Sequence, residues 1–402
     1  MPISTEVPRR ILNRIGRGIS ARGTGGGPTR PGDSVARAKH FVVTWAIPDN
    51  YGGMTNALFH RSRALAREAG LNVTVLTFDW RPNYEDAREA LQRRAALTKG
   101  VELLNLWEWL ADLDDRRLRA LGDRQSREDF KPLDASEAPN QNRMDRRRRY
   151  SQDGKTLLQQ DYYRQDGSLL VSDRFDVAVA EGKKTVRRIF LCDSSGKPVR
   201  TLTNSSALYH LWLDQLTAGD DAFVIVDSKF AADFIAQYRR SNVTTMYMVH
   251  GAHIDWRVRS PYAPLSRVRR DAFAGLERFD GVVLLTDRQK FHTAMRLGDF
   301  GNLTVIPNSW NPGSQKVETK ERDEARGIIV ASLDSRKQVD HAVRAVSALN
   351  TPEKASSLHI FGSGSQVDFL SQLISDNQMG ESIHLEGFTN NVAGEFARSS
   401  YS

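Results

Sequence analysis

The chain has 402 residues, enough for two or three domains at roughly 100–200 residues each, and its 40% apolar and 26% charged residues exclude a wholly disordered polypeptide. The formal charge is +8, but residues 1–39 hold eight bases against two acids, so most of the excess sits in the first tenth of the chain and the remaining 363 residues are close to neutral. The single cysteine, Cys192, excludes an intramolecular disulfide and fits a reducing cytoplasm. No run approaches the ~20 apolar residues of a membrane-spanning helix, so membrane contact is expected to be peripheral, at the inner face.

Residues 1–38 read as a basic tail rich in Gly and Pro, a composition that buries too little surface to order itself. Such a tail is either solvated or an arm for phosphates or an anionic membrane. A dedicated nucleic-acid binder would carry a basic folded face, and none is visible, so no nucleic-acid partner is expected.

Order is expected from residue 39. His40–Pro48 reads as a buried parallel strand, followed by a loop with Gly52 and Gly53, a helix over Met54–Ala69 closed by Gly70, and a strand over Leu71–Thr77. Strand, loop, helix and strand in about forty residues make a βαβ unit with a parallel sheet. The pattern breaks between 96 and 216, where charged stretches and turns at Asp153-Gly154, Asp166-Gly167, Glu181-Gly182 and Ser195-Gly196 have antiparallel hairpin spacing. Parallel-strand signals return at Ala222–Val226, Thr245–Val249, Gly281–Leu285 and Leu303–Ile306. A second series runs from Gly327–Ala331 through a helix near Asp340–Leu349, the strand Leu358–Phe361, a helix ending near Ile374 and the strand Ser382–Leu385. Phe396–Tyr401 reads as a helix approaching another strand. The predicted organisation is a tail over 1–38, a first Rossmann-like domain in two parts (39–95 and 217–312), a β-rich insertion at 96–216, a linker over 313–326, and a second Rossmann-like domain over 327–402. Two such domains imply a ligand outside the carboxyl ends of their strands.

Gly52-Gly53 and Gly362-Ser363-Gly364 each lie between a strand and a helix, where glycines admit an anion to helix N-terminal amides or simply make a tight turn. The second loop lacks the spaced third glycine of a dinucleotide fingerprint. His250 and His253 follow a strand end and have no third ligand at a recognisable spacing, so they read as polar strand-end or ordinary surface residues rather than a metal pair. Asp112-Leu113-Asp114 sits in a charged helical run and reads as a solvated helix face. The run Arg146, Arg147, Arg148, Arg149 is either a solvated loop or a clamp for a polyanion. Lys337 stands at a helix start after a strand–loop, where a cation could meet a diphosphate.

Taken in order, these motifs resemble the retaining GT-B glycosyltransferases of the family 4 type, in particular the poly(glycerol-phosphate) α-glucosyltransferase and wall-teichoic-acid or serine-rich-adhesin glycosyltransferase group. The residues that carry the resemblance are Tyr51-Gly52-Gly53-Met54-Thr55, Val249-His250-Gly251-Ala252-His253, Leu285-Thr286-Asp287-Arg288-Gln289, Val305-Ile306-Pro307-Asn308-Ser309, Leu333 through Lys337 and Phe361-Gly362-Ser363-Gly364. The resemblance covers roughly residues 40–402 and implies an α/β GT-B architecture with an insertion that binds acceptor and assembles a homo-oligomer. It implies a UDP-sugar donor, glucose or N-acetylglucosamine as the transferred hexose, and a polymer or protein acceptor such as a poly(polyol-phosphate) teichoic acid.

On residues, the resemblance implies catalytic roles for His250 and Lys337 and donor contacts at Gly52, Gly53, Ser332, Arg336, Gly362 and Gly364. Arg146–Arg149 and His253 would serve the acceptor, and no metal or other cofactor is expected. Two departures stand out: Ser332 occupies a position where the family has Arg, with Arg336 available to compensate, and the chain ends at Ser402 before the family's Ser-x-x-Glu-Gly segment and Glu-x7-Glu pair. The expectation is therefore a fragment with an incomplete second domain, and a non-catalytic partner subunit is the competing reading.

Overall fold

The computed structural model describes residues 35, 37–122, 143–178, 185–252, 254, 260, 262–265, 270–308, 322–349 and 356–402. The predicted tail over 1–38 therefore falls almost wholly outside the described residues, as do Glu181-Gly182 and His253. The chain divides into two compact units, one comprising residues up to 49 and 54–308, the other 309–402 with the short stretch 50–53.

The first unit opens with β1 (Lys39–Val43), α1 (Gly53–Ala69), β2 (Val73–Thr77), α2 (Glu85–Arg93) and β3 (Val101–Asn105), then two short helices, α3 (Leu106–Ala111) and α4 (Asp115–Ala120). An antiparallel meander follows: β4 (Asp145–Tyr150), β5 (Leu157–Tyr163), β6 (Leu169–Ala178), β7 (Thr185–Cys192) and β8 (Pro198–Leu202). The chain returns through α5 (Ser205–Thr217), β9 (Ala222–Val226), α6 (Lys229–Gln237), β10 (Val243–Val249), α7 (Arg270–Ala274), β11 (Gly281–Leu284), α8 (Asp287–Leu297) and β12 (Leu303–Val305). Among the described residues the parallel sheet has the order β12-β11-β10-β9-β1-β2-β3. Its inner strands are predominantly apolar because helices cover both faces: β11 is buried throughout, and β9 alternates buried with half-buried positions.

The insertion is narrower than the sequence suggests. Val101–Asn105 pairs in parallel register with β2 and belongs to the first sheet, so the antiparallel sheet begins at Asp145 rather than near residue 96. The reason is local: Asn105, fully buried, accepts from the amides of Trp107 and Glu108 and donates to Thr77 and Asp79, capping α3 and tying it to the strand beside it. Asp112 and Asp114 are not one helix face; the helix breaks there, and Asp114 caps α4 through the amide of Arg117. The insertion is not a separate globule. Tyr162 stacks on Trp107 at 4.0 Å, and Val171, Ile189, Leu191 and Leu202 join the same core as Phe78 and Trp212. Cys192 is fully buried in a separate small cluster with Tyr163, Leu169 and Phe190, and burial pushes its thiol up to about 12.

The second unit runs β13 (Asp323–Val330), α9 (Val339–Leu349), β14 (Ser357–Phe361), α10 (Val367–Asp376), β15 (Ile383–Gly387), α11 (Val392–Ala397) and β16 (Ser399–Tyr401). Its strands are parallel, in the order β15-β14-β13-β16, and the core is built by Leu333, Val343, Leu358, Ile360, Leu370 and Ile383. β13 starts four residues before the expected domain start at 327, taking in the end of what read as linker. The last helix lies earlier than the sequence suggests, over Val392–Ala397, and Ser399–Tyr401, which reads as helix, is itself the strand, paired in parallel with β13.

Candidate functional site

In the first unit the polar residues gather at the carboxyl ends of the parallel strands. Asp227 directly follows β9, and its amide donates to the carbonyl of Val43 at 2.9 Å, which fixes the strand end against β1. Its side chain is wholly buried and accepts from His250 Nε2 at 2.5 Å through one oxygen and from the Arg61 guanidinium through the other. Arg61 comes from α1 and His250 follows β10, so three neighbouring elements of the fold supply one cluster. Gln289 of α8 braces the next strand end: its side-chain oxygen accepts from the Leu285 amide at 2.8 Å, and its nitrogen donates to the carbonyls of Val249 and Gly251, each at 3.1 Å. His250, Gly251, Thr286, Arg288, Gln289 and His292 border a pocket of about 300 Å³.

Gly52 and Gly53 open α1. A methyl group built on either would meet nothing within 4 Å, and neither has a left-handed backbone, so the turn itself does not demand glycine. α1 has 17 residues with no acid in its first turn, which leaves its terminal amides free of a competing carboxylate and suited to an anion.

The strand ends of the second unit are zipped together. The Leu333 amide donates to the Ser363 carbonyl at 2.8 Å, Ala331 to Phe361 at 3.0 Å and Gly362 to Gly387 at 2.7 Å. Gly362 has φ 144° and Gly364 φ 156°; an added Cβ would lie 1.8 Å from the Ala331 carbonyl oxygen at the first and 2.3 Å from that of Leu333 at the second. These two glycines are required by close approach of backbone to backbone. Lys337 closes a 3₁₀ turn over Ser335–Lys337 rather than heading α9 itself, and Gln338, left-handed at φ 51°, separates the two. The Lys337 side chain is exposed, with no partner for its ammonium among the described residues.

Arg336 is engaged differently. Its guanidinium holds Asp334 through Nε and Nη2, each at 2.9 Å, and Ser332 Oγ donates to the same carboxylate at 3.0 Å. The hydrogen bond from Arg336 holds the Asp334 carboxyl at about 2. Because the folded value lies below the ordinary one near ~3.9, the pair contributes stability above that value, and the contribution is lost as pH falls through about 2. Since both partners are partly exposed, Asp334→Asn is expected to lower stability at pH 7 by less than ~1 kcal/mol, with the difference from the parent vanishing near pH 2 in denaturant titrations.

Arg146, Arg147, Arg148 and Arg149 do not form a loop. They lie in β4, at one end of the antiparallel sheet. Arg147 pairs with Asp145 at 2.8 Å and Arg149 with Asp176 at 2.7 Å. Arg148 Nε donates to Gln160, and Arg146 stacks 4.4 Å over the Trp80 ring. Arg146 and Arg148, two residues apart on one face, have no carboxylate partner among the described residues, and burial together with Arg148 pulls the Arg146 guanidinium below its ordinary value.

No family model matches the chain. Its sequence is 20% identical over 411 residues to a Bacillus subtilis (strain 168) poly(glycerol-phosphate) alpha-glucosyltransferase, covering 89% of this chain and 60% of that one, so the chain spans less than two thirds of the length of this relative. The structure superimposes on Staphylococcus aureus TarM, crystallised as a G117R mutant with fondaparinux, alpha-GlcNAc-glycerol and UDP, at a TM-score of 0.62 with 17% identity, over 88% of this chain and 78% of that one. The pneumococcal O-GlcNAc transferase GtfA, crystallised with UDP and GlcNAc, matches at a TM-score of 0.61 with 15% identity, over 91% of this chain and 79% of that one. The chain has the GT-B glycosyltransferase fold.

Within the GT-B frame, Gly52 and Gly53 stand at the start of α1, Arg146–Arg149 lie in the antiparallel sheet, and the other described predicted residues lie at strand ends. His250 lies at a strand end of the first unit, and Ser332, Arg336, Lys337, Gly362 and Gly364 lie together at strand ends of the second. Asp227, Arg61 and Gln289 were not assigned roles from sequence. An acid immediately after the apolar run Ala222–Val226 is a signal for Asp227. Nothing in the sequence around Arg61 marks it, because its partner is 166 positions away.

Proposed function

We propose that the protein is a retaining hexosyltransferase that takes glucose or N-acetylglucosamine from a UDP-sugar and adds it to a polymer or protein acceptor on the cytoplasmic side, such as a poly(polyol-phosphate) teichoic acid. The observation that carries this reading is the alignment of 89% of the chain with a poly(glycerol-phosphate) alpha-glucosyltransferase, joined to the GT-B fold. In this reading Lys337 balances charge on the departing diphosphate, an electrostatic contribution made where charge develops, and the amides at the Gly52-Gly53 end of α1 approach the donor. His250 belongs to the acceptor side of the reacting sugar. Arg146 and Arg148, which have no carboxylate partner among the described residues, favour a phosphate-bearing acceptor, since guanidinium groups meet phosphate oxygens in pairs. Fixed cations and helix amides take the part a metal would otherwise play, and the antiparallel sheet is the surface for a homo-oligomer. No helix among the described residues is long and apolar enough to cross a membrane.

Transfer of labelled hexose from UDP-glucose or UDP-N-acetylglucosamine to poly(glycerol phosphate) is expected to proceed undiminished in excess chelator. Activity that disappears with chelator and returns with a divalent cation would refute the metal-independent form of the proposal. A second reading, a non-catalytic partner subunit that binds acceptor, is favoured by Ser332 and by the engagement of Arg336 with Asp334. Calorimetry separates the two, because the partner subunit binds no UDP.

A further inference from the structure

We infer that Asp227 and Arg61 are positioning residues that hold His250 as the Nε2–H tautomer, leaving Nδ1 as a fixed hydrogen-bond acceptor. The side chain of Asp227 is 0% exposed and that of His250 10% exposed, so the contact between them is largely shielded from solvent. A buried carboxylate must be paired, and Arg61 pairs it. An arginine only donates, so the carboxylate stays an acceptor on both oxygens, and the contact of 2.5 Å to His250 Nε2 requires the proton to sit on that nitrogen. In the neutral ring Nδ1 is then bare, and among the described residues nothing donates to it.

The backbone holds both partners independently. Asp227 is tied to β1 through the Val43 carbonyl, and the chain on either side of His250 is tied to α8 through Gln289. The ring borders the pocket along Gly251 and Thr286, and a hydroxyl that reaches Nδ1 meets an acceptor with one set direction. The consequence for turnover rests on the glycosyl-transfer reading; the tautomer itself does not.

The test is ¹⁵N NMR of the full chain with labelled histidine, the His250 signals being identified by their loss in His250→Gln. The native ring is expected to show a protonated Nε2 and a bare Nδ1. In Asp227→Asn, Arg61 keeps the carboxamide oxygen and turns the amide NH₂ toward the ring, so the tautomer should reverse to Nδ1–H. UDP-sugar turnover should then fall about 100-fold in kcat with little change in KM, while Arg61→Lys, which preserves the charge, keeps the native tautomer and most of the activity. An Nδ1–H ring in the native chain, an unreversed tautomer in Asp227→Asn, or a reversed tautomer with undiminished turnover would each overturn the inference. If Asp227→Asn fails to fold by circular dichroism, the native spectrum still decides. Should the native protein neither bind UDP in calorimetry nor turn over a UDP-sugar, the functional reading fails while the tautomer is still decided by the spectra.

Discussion

Lys337→Ala is expected to lower hexose transfer from a UDP-sugar by about 100- to 1,000-fold, the usual cost of removing one donor aimed at charge that develops in a transition state. The expectation follows from how positive charge is distributed at the strand ends of the second unit. Arg336 gives two hydrogen bonds to Asp334, and that carboxylate also takes the hydroxyl of Ser332. The guanidinium is neutralised where it stands. Lys337, exposed and unpartnered among the described residues, is the neighbouring cation with its charge available. The loss should fall mainly on kcat, because interactions that strengthen only as the diphosphate departs do not tighten ground-state binding. Arg336→Ala should cost far less. Equal turnover in the Lys337→Ala variant and the parent, measured as labelled hexose released or transferred, would remove Lys337 from the chemistry.

Gly362→Ala and Gly364→Ala are each expected to destabilise the protein by about 3 kcal/mol or more, read as a shift in the denaturant midpoint. At both positions the added carbon would fall well inside contact distance of a carbonyl oxygen, 1.8 Å at Ala331 and 2.3 Å at Leu333, and the backbone is one that side chains rarely adopt. Neither oxygen can withdraw cheaply, since Leu333 and Ala331 are held by hydrogen bonds from their own amides to Ser363 and Phe361. Gly52→Ala and Gly53→Ala give the contrast. Open space surrounds both, so their stability should stay within about 0.5 kcal/mol of the parent, and any effect should appear in UDP binding. The two glycine pairs look alike in sequence, yet one serves the backbone and the other leaves room.

Much of the architecture was legible because buried parallel strands carry their signature openly. Ala222–Val226 and Gly281–Leu284 are continuous apolar runs that no amphipathic helix would show. The insertion boundary was not legible: Val101–Asn105 alternates buried and exposed positions in Glu102 and Leu103 and is followed at once by helix, so it blends with the charged stretch around it. The arginine strand was hidden for a related reason. Its four side chains find Asp145, Gln160, Asp176 and the Trp80 ring, and those partners come from strand pairing and tertiary packing rather than from any apolar pattern. At the site, strand ends pointed to His250. The carboxylate behind it depends on β9 lying beside β10, and the arginine on α1 packing near both; sheet order, not local sequence, decides such pairs.

The shared core beneath the antiparallel sheet bears on how this protein can change. Because Tyr162 rests on Trp107 and Leu191 lies in the same cluster as Trp212, the meander is soldered to the domain that carries it. Its loss in a descendant would bare the aromatic floor below, so lineages are constrained to keep both or to rewrite both together, and swapping one such module for another between relatives demands new side chains on α3 and α5 as well.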